Sequence, residues 1–173
     1  MRPVKNEYVP YYQVYIDLVK GDEIIPILEA QVEEFLSLMK TIPEERKTFS
    51  YAEGKWTIAE LLGHIIDTER IMTFRAFWFA RNDPNPLPGF EQDDFVKIAG
   101  FNDRSLVSLV EEWVQLRKSN NTLFKSFDKE VLHRRGVANH NEVSVLALLY
   151  IIAGHLIHHL EVLKNKYLVK PQN

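Results

Sequence analysis

Apolar residues recur every three to four positions along most of the chain, and no stretch keeps a period of two, so the pattern predicts helices throughout. The first of four long helices is expected after Gly21-Asp22, with Asp22 as cap and Pro26 in the first turn. Its inward row is Leu28, Val32, Phe35, Leu36 and Met39, and Pro43 ends it. The second has a sharper start. Thr57 and Glu60 stand at capping-box spacing, and Trp56 and Leu61 occupy the two positions of a hydrophobic staple. It runs to about Ala80, where Asn82-Asp83-Pro84-Asn85-Pro86-Leu87-Pro88-Gly89 breaks it. A third helix from about Arg104 carries Leu106, Leu109, Val110, Trp113, Leu116, Leu123, Phe124 and Phe127, with charge on its other side. Residues 128–141 read as a short helical turn and a polar loop, and a fourth helix covers roughly 143–167. Before all of these, Tyr8-Val9-Pro10-Tyr11-Tyr12-Gln13-Val14-Tyr15 reads as a packing strap or short helix. The expected fold is all-α, a four-helix bundle.

The connection over residues 81–101 is long for a bundle, where about 2 to 8 residues is usual, and suits a segment crossing one end. With 173 residues, 46% of them hydrophobic and 26% charged, one domain spanning 1–173 is expected. Twenty-one Lys and Arg against 24 Asp and Glu give a formal charge of -3, so no basic field exists to hold a polyphosphate backbone, and nucleic acid is not an expected partner. The amino terminus has no apolar signal segment, which points to the cytoplasm. The longest apolar stretch, Val145 to Gly154, stops at His155, short of the roughly 20 residues that cross a bilayer, so no membrane span is expected. The absence of Cys leaves any metal to His and carboxylates.

Three of the six histidines, His155, His158 and His159, fall within five residues of an otherwise apolar helix. At 100° per residue, with His155 at zero, the apolar stripe centres near about +60°, His159 lies at about +40° and His158 at about -60°. His155 and His159 therefore point inward together, and His158 sits at the edge of the stripe. Imidazoles at i and i+4 form a two-ligand platform for a divalent ion. His64 adds a third on the inward side of the second helix. A lone buried histidine is ordinarily a hydrogen-bonded core residue, but three neutral imidazoles facing one core gain more from a shared cation. Three protein ligands leave coordination positions open, and such an ion can acidify a water or hold a substrate thiol as thiolate. Asp67, one turn after His64, could orient a ligand, bind water or act as a base; otherwise it is a helix-surface carboxylate paired with Arg70 or Arg75. His133 and His140 read as solvated loop residues. Phe74, Phe77, Trp78 and Phe79 read as core or subunit interface.

Gly54-Lys55-Trp56-Thr57, Glu60, Gly63-His64, Asp67-Thr68-Glu69-Arg70, Arg75, Leu87-Pro88-Gly89-Phe90-Glu91 and Ala153-Gly154-His155 with His158-His159 resemble the DinB-like superfamily. More narrowly, they resemble its branch of YfiT-type metal-dependent hydrolases and bacillithiol S-transferases. The likeness runs from Glu7 to Tyr167. It implies an up-down-down-up helix order, with a long crossover between the second and third helices. It also implies one divalent ion, often nickel or zinc, on one histidine of the second helix and two of the last: His64, His155 and His159. Homodimers are frequent in that family. Relatives often carry an acidic residue directly after the histidine matching His155, and here Leu156 stands there, with Glu161 only later.

The expected function is a metal-dependent enzyme in which the ion activates a low-molecular-weight thiol towards an electrophilic substrate, an S-transfer in detoxification or stress response. Metal-assisted hydrolysis with bound water is the alternative chemistry. A non-catalytic metal-binding structural or stress dimer is the alternative class. Asp67 and His158 are candidates for supporting the ligands, and no catalytic residue beyond the ligands is singled out.

Overall fold

A computed structural model describes residues 1–169. Two short 3₁₀ turns lead into α1 (Gln13–Leu18), followed by α2 (Ile24–Met39), α3 (Ile58–Ala80), α4 (Gln92–Ala99), α5 (Leu106–Lys125) and α6 (Lys129–His133). A hairpin of β1 (Arg135–Ala138) and β2 (Asn141–Ser144) comes next, then α7 (Val145–Val162), which ends in a π turn (Leu163–Tyr167). The long helices α2, α3, α5 and α7 form the bundle, with α7 packed on α2 and α3, and α5 on the same two.

The strongest local expectation is met at α3. The Thr57 hydroxyl accepts from the Glu60 amide at 3.1 Å, while the Glu60 carboxylate accepts from the Thr57 amide at 2.8 Å, so two otherwise orphaned donors are satisfied. Elsewhere the boundaries move. Helix α2 is preceded by Glu23 and not by Asp22, with no side-chain cap, and it ends at Met39, before Pro43 is reached. The helix expected from residue 143 begins at Val145, because Ser144 caps it by accepting from the Ala147 amide.

Residues 135–141, expected as polar loop, and the start of the expected fourth helix at 143–144 instead form an antiparallel hairpin that pairs Gly136 with Val143 and Ala138 with Asn141. Its two-residue turn places Asn139 and His140 at φ 49° and 62°. Positive φ at both central positions matches the twist of a tight hairpin, a geometry usually announced by Asn-Gly. Leu87 of the proline-rich connection joins this hairpin through backbone bonds to Val137 and Asn139, which anchors the long segment between α3 and α5.

Every residue from Val145 to Leu156 is buried, so α7 is the central helix of the fold and has no solvent face over that length. Val145–Tyr167 is in fact long and apolar enough to cross a membrane by length and composition, contrary to the expectation from its shorter apolar run. However, 78% of its apolar window is buried inside this protein, as a core helix requires. Helix α1 lies against α7 at Gly154, where a Cβ would collide with the Tyr15 backbone carbonyl. Two apolar clusters result. One joins the starts of α2 and α7 to the ends of α3 and α5; the other joins the opposite ends of the same helices.

Candidate metal centre

At the boundary between the two apolar clusters each bundle helix contributes buried polar side chains: Gln31 from α2, His64, Thr68 and Glu69 from α3, Arg117 and Asn120 from α5, and His155 and His159 from α7. Half of this layer is a closed ion-pair network. Arg117 donates from Nε and Nη2 to the two Glu69 oxygens at 2.6 and 2.8 Å, and from Nη1 to Gln31 at 2.7 Å. Trp113 and Asn120 complete the Glu69 carboxylate. Gln31 passes the network to α7 by donating to the Ala153 carbonyl at 2.9 Å. Sequence reading treated the α5 face as apolar on one side and charged on the other, and so missed Arg117 and Asn120 among its inward residues.

The other half is the histidine cluster. His64 Nε2 and His159 Nε2 each lie 3.0 Å from His155 Nε2, and the three nitrogens fall within 4.8 Å of one another. Burial is the first cause that keeps all three rings neutral. It pushes His64 down to about 4 and His159 to about 2, and sends His155 well below the ordinary value, with the neighbouring histidines adding to each shift.

Hydrogen bonding alone does not account for this arrangement. An imidazole nitrogen has a single in-plane position, holding a proton or a lone pair, so His155 Nε2 satisfies one neighbour at 3.0 Å and faces the other unfavourably. Three lone pairs turned on one cation resolve the conflict. Two nitrogen ligands at about 2.1 Å from a common ion stand about 3.0 Å apart when their bonds meet near a right angle. The donor set therefore fits a borderline divalent ion.

Around the cluster, Trp56 lies over His64 with ring centroids 4.6 Å apart, and Tyr15 meets both His155 and His158 edge-on at 5.5 and 5.6 Å. His158 sits at the rim and packs edge-on against His159 at 4.9 Å. The Thr68 hydroxyl is 3.4 Å from His64 Nδ1, a position that helical i, i+4 spacing from His64 could have disclosed. Asp67 is half-buried and makes no hydrogen bond to the cluster; burial raises its carboxyl, with Arg70 opposing and Glu112 adding to the shift. The expected pairing of Asp67 with Arg70 or Arg75 is not what forms. Arg70 donates to Glu112 at 2.8 Å, and Arg75 to the Pro88 carbonyl at 2.9 Å, because α5 and the crossing segment offer better placed acceptors. His133 and His140 are exposed, as expected. Phe79 is fully buried, while Phe74 and Phe77 face outward. Leu156 is buried in the second apolar cluster, so the position after His155 carries no carboxylate.

The sequence profile of the DinB superfamily matches residues 27–163, which hold all three histidines. The chain belongs to the DinB superfamily. Among solved structures, YfiT from Bacillus subtilis, described as a probable metal-dependent hydrolase with an unusual four-helix bundle topology, superposes with a TM-score of 0.72. The identity is 13%, over 84% of this chain and 92% of that one. A mycothiol-dependent maleylpyruvate isomerase follows with a TM-score of 0.67 and 12% identity, over 86% of this chain and 62% of the isomerase. A Streptococcus pneumoniae protein reaches 0.63 and 14% identity, over 91% and 99%. No curated protein matches the sequence. At these identities the likeness establishes a shared fold, and this DinB-superfamily member carries its own three-histidine cluster within it.

Proposed function

We propose that this chain is a metal-dependent enzyme in which His64, His155 and His159 hold one divalent ion, nickel or zinc, and a low-molecular-weight thiol is transferred to an electrophilic substrate in detoxification or stress response. The observation that carries the reading is the convergence of three neutral Nε2 atoms, those of His64 and His159 each 3.0 Å from that of His155 and all within 4.8 Å of one another, where His155 also lines a cavity of about 400 Å³. A bound ion there supplies Lewis acidity, enough to hold a thiol as thiolate near neutral pH or to acidify a water.

The chain's own residues do the rest. Thr68 stands beside His64 Nδ1, the ring position left to carry the proton when Nε2 is a ligand. Trp56 and Tyr15 cover the rings and limit the approach of bulk water. With no Cys in the chain, the sulfur nucleophile has to arrive with the substrate. In the transfer its carbon–sulfur bond forms as the leaving group departs. The structural likeness to a mycothiol-dependent enzyme supports thiol chemistry, and the likeness to YfiT supports hydrolysis as the second reading.

The test is metal content by mass spectrometry of untagged protein, purified without chelator or a nickel column, for the parent and for His64→Ala. About one equivalent in the parent and little in the variant supports the site. No metal after incubation with nickel and zinc overturns it. Turnover of thiols with electrophiles, set against ester and amide cleavage, then separates the two chemistries. His155→Ala separates catalysis from support: lost turnover with a retained melting temperature marks an enzyme, and a large fall in melting temperature marks a structural ion.

A further inference from the structure

Two arginines are buried among the described residues, and they are treated differently by the fold. Arg117 is neutralised by both oxygens of Glu69. Arg75 is 4% exposed and, among the described residues, forms no ion pair. Its Nη2 donates to the Pro88 carbonyl at 2.9 Å, its Nη1 lies 3.7 Å from the Met72 sulfur, and its guanidinium carbon is 5.9 Å from the centre of the Phe90 ring. These contacts position the group and leave its charge unmatched. A buried, unpaired cation is costly, and it persists where something else supplies the counter-charge.

Arg75 lines the same cavity of about 400 Å³ that has His155 in its wall, with Tyr12, Tyr15, Met72 and Phe90 also lining it. The acidic residues of this cavity, Glu91, Asp93 and Glu142, are exposed, and Glu142 is already held by Arg135 at 2.7 Å. Their fields are screened by solvent, whereas that of Arg75 is screened much less.

We propose that Arg75 is a substrate-binding residue whose guanidinium pairs with a carboxylate of the substrate, while the reacting end of the same molecule lies against His155. This deepens the metal-dependent reading above, on which only the role of the reacting end rests. A carboxylate suits the planar fork of an arginine. A phosphate dianion would suit the fork too, but it meets more repulsion from the three acidic residues. Helical rise separates positions 64 and 75 by about 16 Å, and a long side chain leaning towards the helix start shortens the gap to roughly 10 Å. The fitting substrate is thus an elongated monocarboxylate with about six to eight bonds between its acid and its reacting group, passing between Tyr12 and Phe90.

The probes are octanoate, octanamide and octyl phosphate, titrated calorimetrically into the full chain as purified and again after dialysis against chelator. Octanoate is expected to bind the chelated parent at least about tenfold more tightly than octanamide, the discrimination typical of a charge-assisted hydrogen-bonded pair. Arg75→Met, which keeps the side-chain bulk, should reduce the preference to within about twofold, and Arg75→Lys should retain part of it. Equal binding of octanoate and octanamide by the parent, tighter binding of octyl phosphate, or a preference that survives in Arg75→Met each overturns the proposal. Because the chelated arm needs no metal, failure there is distinct from failure of the metal site, which is read from metal content. Should Arg75→Met not fold, the parent's own preference and Arg75→Lys still decide.

Discussion

His64 Nε2 on α3 and His155 Nε2 on α7 lie 3.0 Å apart although 91 residues separate them in the chain. The contact sits on the boundary between two apolar clusters, where a polar layer crosses all four bundle helices. Loss of either ring removes one of three donors. His64→Ala, His155→Ala and His159→Ala should each lower bound metal from about one equivalent to a small fraction, and His158→Ala should leave it near one. Mass spectrometry of the four variants checks this.

Stability of the metal-free protein should depend on pH in a defined direction. The ordinary histidine value is 6.5, and burial holds His64 near 4 and His159 near 2 in the native state, with His155 also well below the ordinary value. Above pH 6.5 neither state takes up protons at these sites. Below it the unfolded chain binds protons that the native chain refuses, so stability falls as pH drops from 6.5 towards 4, and for His159 further still. Urea melts at pH 7.5, 6 and 5 after chelation should show decreasing midpoints, and His159→Leu should show a shallower trend.

The Glu69–Arg117 pair should behave as a buried pair, costly to break from one side. Arg117→Ala leaves Glu69 with Trp113 and Asn120 as its only remaining partners here, and should destabilise by about 3 to 5 kcal/mol. Replacing both residues by apolar ones of similar volume, Glu69→Leu with Arg117→Met, should cost less than Arg117→Ala alone. Chemical denaturation of the parent and the two variants measures both.

Gly154 sets how closely α1 approaches α7, through the Tyr15 backbone carbonyl. Gly154→Ala has no flexible side chain to displace, so α1 has to shift, at a cost of about 1 to 3 kcal/mol. The same shift moves the Tyr15 ring off His155 and His158. Thermal melts should register the loss, and the thiol turnover proposed above should fall even where the protein remains folded.

Local rules were sufficient for much of the bundle and for the histidines. Periodicity located four long helices, the Thr57 and Glu60 box was visible from residue type and spacing, and the i, i+4 pair on a helix with a third inward histidine follows from 3.6-residue geometry. These features depend on neighbours within a turn or two, so a sequence displays them directly. The hairpin escaped because its tight turn uses Asn139 and His140 at positive φ in place of the usual Asn-Gly, and because Leu87, which bridges to Ala138, lies 51 positions away in the chain. Arg117, Glu69 and Gln31 read as ordinary helix polar residues until three helices bring them together in a layer from which water is excluded. The same holds for Arg75. Its sequence neighbours suggest a surface ion pair, and only the packing of α3 under the crossing segment buries its charge and leaves it facing a cavity, since burial and counter-charge are properties of the assembled bundle and not of any one helix.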